Sequence, residues 1–121
     1  MGLFLILLAA GDSTRLKSKI PKPFHIVNDK TLLEHSFNAF KDLQKIKKTV
    51  IVYNKKHKKY LNKLNLKRTL KIIGGKTRQE STFIALKKIK KMNCKKVLIH
   101  DSARPNPSKD LINKIIYNLV N

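Results

Sequence analysis

Four short, almost unbroken apolar runs set the frame of this chain: LFLILLA at 3–9, TVIVY at 49–53, LKII at 70–73 and KVLIH at 96–100. They do not alternate polar and apolar residues as a strand with one wet face does. Runs of this kind suit parallel strands covered on both faces. Parallel neighbours need a long crossover, usually helical, and helical patterns fill the gaps. Thr31 with Glu34 makes a T-x-x-E capping box ahead of Leu33, Phe37 and Phe40 on one face. Thr77 with Glu80 makes a second, ahead of Ile84, Ala85, Leu86 and Ile89. The segment 55–66 predicts a short basic helix with Tyr60, Leu61 and Leu64 inward. Ser108 caps a predicted last helix in which Leu111, Ile112, Ile115, Ile116, Leu119 and Val120 repeat at helical spacing. The order β-α-β-α-β-α-β-α defines an α/β layered domain with a mostly parallel sheet and right-handed crossovers.

Length and cysteine content narrow the class. At 121 residues the chain is expected to form a single domain, 1–121, with a core that needs no disulfide or metal. The lone cysteine, Cys94, excludes an internal disulfide framework and a multi-cysteine zinc site, and fits a reducing cytosol. The apolar run from Leu3 to Ala10 is too short to span a bilayer and lacks the basic start of a signal peptide. It is expected to be a buried first strand in a cytoplasmic protein with no membrane partner.

The charge balance is lopsided: 28 Lys+Arg against 7 Asp+Glu, a net +21. Yet 24 of the basic residues are Lys and 4 are Arg, alongside 13 Ile and 10 Asn, a combination that A- and T-rich coding also produces. Proteins that grip nucleic acid lean on the planar fork of Arg. No nucleic-acid motif is present, aromatics make up 7% and Trp is absent. A basic nucleic-acid-binding module therefore stands only as an alternative to an enzyme.

Ligands of open parallel sheets bind beyond the carboxyl ends of the strands, and the unusual residues sit there. After the first run come Ala9-Ala10-Gly11-Asp12-Ser13-Thr14-Arg15 and then Pro21-Lys22-Pro23. Small residues let a ligand approach the backbone, while Arg15 and Lys22 supply positive charge for phosphate. The loop reads equally as a polar connection with two solvated cations. After the third run, Gly74-Gly75 precedes Lys76, the capped helix start and Ser81; two glycines permit positive φ and a tight turn. A plain β-to-α turn uses Gly-Gly as well. After the fourth run, Asp101 stands in His100-Asp101-Ser102-Ala103-Arg104-Pro105, where a carboxylate can hold Mg²⁺ beside phosphate oxygens, or simply pair with Arg104. His100 reads as a packed strand-end residue, Cys94 as a small residue without nucleophile character.

Taken in order, L-A-A-G-x-x-x-R-L at 8–16, P-K at 21–22, L-L-E-H-S-F at 32–37, G-G-x-x-R-x-x-S at 74–81 and H-D-S-A-R-P at 100–105 resemble 2-C-methyl-D-erythritol 4-phosphate cytidylyltransferases. The resemblance implies a Rossmann-like layered fold of the nucleotide-diphospho-sugar transferase type. It implies a reaction in which a polyol phosphate attacks the α-phosphorus of CTP and displaces pyrophosphate with Mg²⁺ present. Arg15 and Lys22 would then be catalytic, steadying charge on the α-phosphate and the leaving group. Ala9, Ala10 and Gly11 would line the nucleotide. Gly75, Lys76 and Ser81 would surround the cytosine. Asp101 and Ser102 would lie near the ribose and phosphate, with Asp101 the metal ligand. Ala103 favours the methylerythritol acceptor over the related ribitol 5-phosphate enzymes, which tend to carry Val there.

Departures from the family pattern are Ser13 where Gly is frequent, Pro23 where Gln is usual, and Lys76 where an acid is frequent. The largest is length. The family chain is about twice as long, and its later half carries a dimerisation arm and acceptor-binding residues. By that resemblance this is the nucleotide-binding half, truncated, with a homodimer expected only of the longer form.

Overall fold

The structure, a computed structural model, describes residues 3–11, 20–42, 45–92, 94–102 and 116–118. Each expected strand forms: β1 spans Leu3–Ala9, β4 Ile46–Tyr53, β5 Thr69–Ile73 and β6 Lys96–Asp101. Between β1 and β4 lie two short strands, β2 (Ile26–Val27) and β3 (Lys30–Thr31), and helix α1 (Leu32–Phe40). Helix α2 (Lys58–Leu61) follows β4, α3 (Arg78–Lys90) follows β5, and β7 (Ile116–Asn118) follows β6.

The main sheet has the order β5-β4-β1-β6-β7. The first four strands are parallel, with Leu8 of β1 facing Val52 of β4 on one side and Asp101 of β6 on the other. Successive side chains of a strand point to opposite faces, and β1 is buried on both. Leu5, Leu7 and Ala9 pack with Leu33 and Phe40 of α1, Phe24, Ile51 and Leu61. Phe4, Ile6, Leu8 and Ala10 pack with Ala85 and Ile89 of α3, Val50, Val52 and Ile99. Two dry faces explain why the run is continuous rather than alternating.

The capping signals are realised unequally. At α1 both halves of the box form: the Glu34 amide donates to Thr31 Oγ1 at 3.1 Å, and the Thr31 amide donates to Glu34 Oε1 at 2.9 Å. At α3 the Glu80 amide donates to Thr77 Oγ1 at 3.0 Å. No return bond forms, because the Glu80 carboxylate lies beside Gly75 instead. His100 is buried and its ring meets Phe40 at 5.2 Å, the packed strand-end residue expected of it. Cys94 is buried with Sγ donating to the Lys96 carbonyl, and burial pushes its thiol pKa up against the pull of backbone hydrogen bonds.

Two expectations are corrected, and one element is added. The helix over 55–66 is replaced by a 3-10 turn, Lys55–His57, running into the single turn of α2. Within the segment Leu61 and Leu66 are buried in the α1-side cluster, with Tyr60 and Leu64 half-buried against it, and the lysines between them stay in solvent. The last helix does not extend over 116–118, which form β7, antiparallel to β6 with Val97 opposite Tyr117. The outer edge of β6 offers unpaired backbone groups, and Ile and Tyr suit a strand as well as a helix. The rest of that helix, Ser108 included, lies outside the described residues. An unanticipated hairpin, β2–β3, turns on Asn28 and Asp29, both at positive φ (52° and 69°). Two such residues make the primed two-residue turn that matches strand twist.

Two measurements check this packing. Leu7→Ala, at a side chain with no exposed surface, is expected to cost about 2–5 kcal/mol in urea unfolding; a cost below 1 would contradict a two-faced core. Because the Cys94 pKa is raised, thiolate is scarce near neutral pH and grows only as pH rises towards the shifted value. A thiol reagent at pH 7 should therefore label the native chain far more slowly than the urea-unfolded one.

Candidate nucleotide site

The strand order sets where a ligand can enter. The chain steps from β1 outward to β4 and β5, then returns past β1 to β6. The point where the direction reverses lies between the carboxyl ends of β1 and β6, where open α/β sheets leave a crevice. A cavity of about 200 Å³ opens there. Leu8, Ala10 and Gly11 line it from β1, Lys76, Thr77, Arg78 and Ser81 from the start of α3, and Asp101 from β6.

This lining brings together five of the residues expected from sequence: Ala10, Gly11, Lys76, Ser81 and Asp101. It also contains Leu8, Thr77 and Arg78, of which Arg78 had a detectable signal as a cation in the Gly-Gly loop. Ala9 is buried with its side chain in the α1-side core and is not in the lining. Lys22 is not in the lining. It opens a 3-10 turn, Lys22–Phe24, anchored by buried Pro23 and by Phe24, whose ring stacks on Tyr60 at 5.5 Å. Burial of Pro23 gives that departure from the family pattern a packing role. Arg15, Ser13, Ala103, Arg104 and Pro105 lie outside the described residues.

The two glycines act differently from the expectation. None of the described glycines has positive φ. Gly74 is required by close approach: a Cβ there would lie 2.6 Å from Ser81 Oγ, 2.7 Å from Ala10 Cβ and 2.9 Å from Val52 Cγ1. The Gly75 amide donates to Ser81 Oγ at 3.0 Å, so buried Ser81 ties the loop onto the first turn of α3. Ser102 is likewise engaged within the protein. Its amide (3.0 Å) and hydroxyl (2.7 Å) both donate to the Leu8 carbonyl, and its own carbonyl accepts from Ser36 Oγ at 3.1 Å.

Among the described lining residues, two basic side chains and a helix N-terminus stand beside one carboxylate. Lys76 and Arg78 carry full charges, and the N-terminus of the 13-residue α3 adds a partial positive charge from its unpaired amides. Among the described residues, no group of three or more His, Cys, Asp or Glu could form a resident metal centre. Asp101, as the one carboxylate among the described lining residues, fits a hard cation that takes most of its ligands from phosphate oxygens and water.

Alanine substitutions at the glycines separate these roles. Gly74→Ala is expected to cost about 1–3 kcal/mol in urea unfolding through overpacking. Gly75→Ala should cost less, since only the movable Glu80 side chain meets the new methyl. Gly11→Ala should leave stability within about 0.5 kcal/mol, as no described residue lies within 4 Å of its Cβ position. Equal costs at all three would contradict the close-approach account of Gly74.

Comparison with known proteins agrees with this geometry. The family model of 2-C-methyl-D-erythritol 4-phosphate cytidylyltransferase, IspD, matches residues 3–121. The bifunctional enzyme IspD/IspF of Pelagibacter ubique is 49% identical over 119 residues, covering 98% of this chain and 32% of that protein. The 2-C-methyl-D-erythritol 4-phosphate cytidylyltransferase of Wigglesworthia glossinidia brevipalpis is 40% identical over 117 residues, 94% of this chain and 50% of that protein. Among solved structures, the bifunctional IspDF from Campylobacter jejuni superposes with a TM-score of 0.77 at 32% identity, covering 93% of this chain and 29% of that one. The chain thus spans half or less of the length of these relatives. With the sequence match running from the first strand to the last residue and the same fold beneath it, the chain belongs to the 2-C-methyl-D-erythritol 4-phosphate cytidylyltransferase family.

Proposed function

We propose that this chain is the nucleotide-binding part of an enzyme that transfers CMP from CTP to 2-C-methyl-D-erythritol 4-phosphate, releasing pyrophosphate, in isoprenoid precursor synthesis. The observation that carries the reading is the cavity at the β1/β6 switch point, where Lys76, Arg78 and the α3 N-terminus face Asp101. In the reaction a phosphate oxygen of the acceptor forms a bond to the α-phosphorus of CTP. The bond from that phosphorus to the bridging oxygen breaks, and pyrophosphate leaves with the electron pair. Catalysis of such a transfer is mostly positioning and stabilisation of charge.

On this reading Ala9, Ala10 and Gly11 present backbone to the nucleotide. Gly75, Lys76 and Ser81 border the cytosine, with Ser81 keeping the Gly75 loop in place. Arg15 and Lys22 stabilise charge on the α-phosphate and the departing pyrophosphate. For Lys22, a turn held by buried neighbours supports that assignment; for Arg15 the support is the motif alone. Asp101 is the protein ligand for Mg²⁺, and Ser102 holds the strand end beside it. When bound, the ion neutralises charge shared between phosphate oxygens. No helix among the described residues is long and apolar enough to cross a membrane, and a cytoplasmic setting goes with water-soluble substrates.

Thermal unfolding with nucleotides tests the reading. CTP with Mg²⁺ at about 100 times its Kd would stabilise the fold by about 2.7 kcal/mol, enough to raise Tm by several degrees. ATP with Mg²⁺ should raise it less. No shift with CTP, or an equal shift with ATP, would contradict a cytidine nucleotide site. In a chain of the family's full length, Lys22→Ala should lower kcat by orders of magnitude while leaving Tm unchanged. A near-unaltered turnover would remove Lys22 from the catalytic set.

A further inference from the structure

Ser36 lies on α1, on the face of the sheet opposite the α3 side of the cavity, and nothing in the proposed chemistry uses it. It is nonetheless fully buried, and its hydroxyl donates across 66 positions of sequence to the Ser102 carbonyl at 3.1 Å. Ser102 is also fully buried and follows Asp101 directly. Its amide and hydroxyl converge on the Leu8 carbonyl at 3.0 and 2.7 Å. Leu8 and Asp101 are register partners, and both line the cavity.

Residue 102 is therefore gripped from both sides. Its N–H is held by β1, and its C=O is held by α1. The N–H belongs to the peptide joining Asp101 to Ser102, and that peptide sets the direction from which the Asp101 side chain leaves the strand. A polar chain this deep would be costly if left open, because each buried donor or acceptor without a partner loses its hydration for nothing. Its placement is not needed for sheet pairing, since β1 and β6 already run in register from Leu3 to Leu8.

We infer that Ser36 is a positioning residue for Asp101: through the Ser102 peptide it fixes the angle at which the carboxylate meets a nucleotide-bound Mg²⁺. The inference rests on the proposed nucleotide site and adds a residue from outside it. Support of this kind around a metal ligand is worth on the order of 10-fold or more in metal affinity.

The test is CTP binding by titration calorimetry across a range of MgCl₂, for the unaltered chain, Ser36→Ala, Asp101→Asn and the double variant. Ser36→Ala should raise the Mg²⁺ concentration for half-maximal tightening about 10-fold and leave metal-free CTP affinity unchanged. In the Asp101→Asn background it should add nothing, since coupled residues are not additive. Ser36→Cys, a similar volume with a weaker donor, should fall between. A purely structural role would weaken metal-free and metal-loaded binding alike and would add to Asp101→Asn; that result, or unaltered Mg²⁺ dependence in Ser36→Ala, overturns the inference. If the unaltered chain shows no Mg²⁺-dependent CTP binding, the nucleotide reading fails. Hydrogen exchange of the Ser102 amide in the ligand-free chain then decides the grip itself: faster exchange in Ser36→Ala upholds it, and unchanged exchange refutes it.

Discussion

β1 runs between two parallel partners and beneath two helical layers, so its side chains alternate between two dry cores. Its carboxyl end is where both neighbouring strands, both cores and the loops meet. Leu5, Ile6 and Leu7 have no exposed surface, and apolar burial of this kind is the main favourable term in folding. The consequence for function is geometric. A strand held on four sides cannot shift, so the backbone from Leu8 to Gly11 is delivered to a fixed place. The return of the chain past β1 to β6 opens the crevice at that same place. Small residues at Ala10, Gly74 and Gly11 then keep the crevice from filling with protein.

Charge is distributed with less discrimination than shape. A net +21 attracts polyanions over long range, more weakly as salt rises. Among the described residues, the cations that line the cavity are Lys76 and Arg78, beside the amides at the start of α3. Lys76 stands where the family frequently has an acid. On the proposed reading, Lys76 puts a donor beside the base, which leaves acceptor contacts there to backbone carbonyls. Asp101 is the single acidic group among the described lining residues, and the buried bonds among Leu8, Ser102 and Ser36 hold the strand end beneath it.

The parts of this architecture written in local patterns were legible. The four runs became strands within a few residues of their expected ends, and Thr31 and Thr77 cap the helices they announce. What depended on distant partners was not. The run from Leu111 to Val120 satisfies a helical period, yet at 116–118 the open edge of β6 decides in favour of a strand. The hairpin was missed because its strands are two residues each and all but Thr31 are exposed, leaving only Asn28-Asp29 as a sign. Gly74-Gly75 was noticed for conformational freedom but is needed for space, a fact that involves Ala10 and Val52, far away in sequence. Ser36 and Ser102 fall inside recognised motifs, but the buried bond between them carried no signal, since such a bond leaves no periodicity. Five of the lining residues were found from motifs, whereas Lys22 stands outside the lining and Arg15 lies beyond the described residues.

The central claim is that the β1/β6 switch point holds the nucleotide, and amide chemical-shift mapping tests it most directly. Titration of the isotope-labelled chain with CTP and Mg²⁺ should move the amides of Gly11, Lys76, Thr77, Arg78 and Asp101 together, with one shared Kd. The amides of the β2–β3 hairpin and of α2 should stay still. Shifts centred on the lysine-rich segment around α2, with the switch-point amides unmoved, would contradict the account and leave the cavity without a nucleotide.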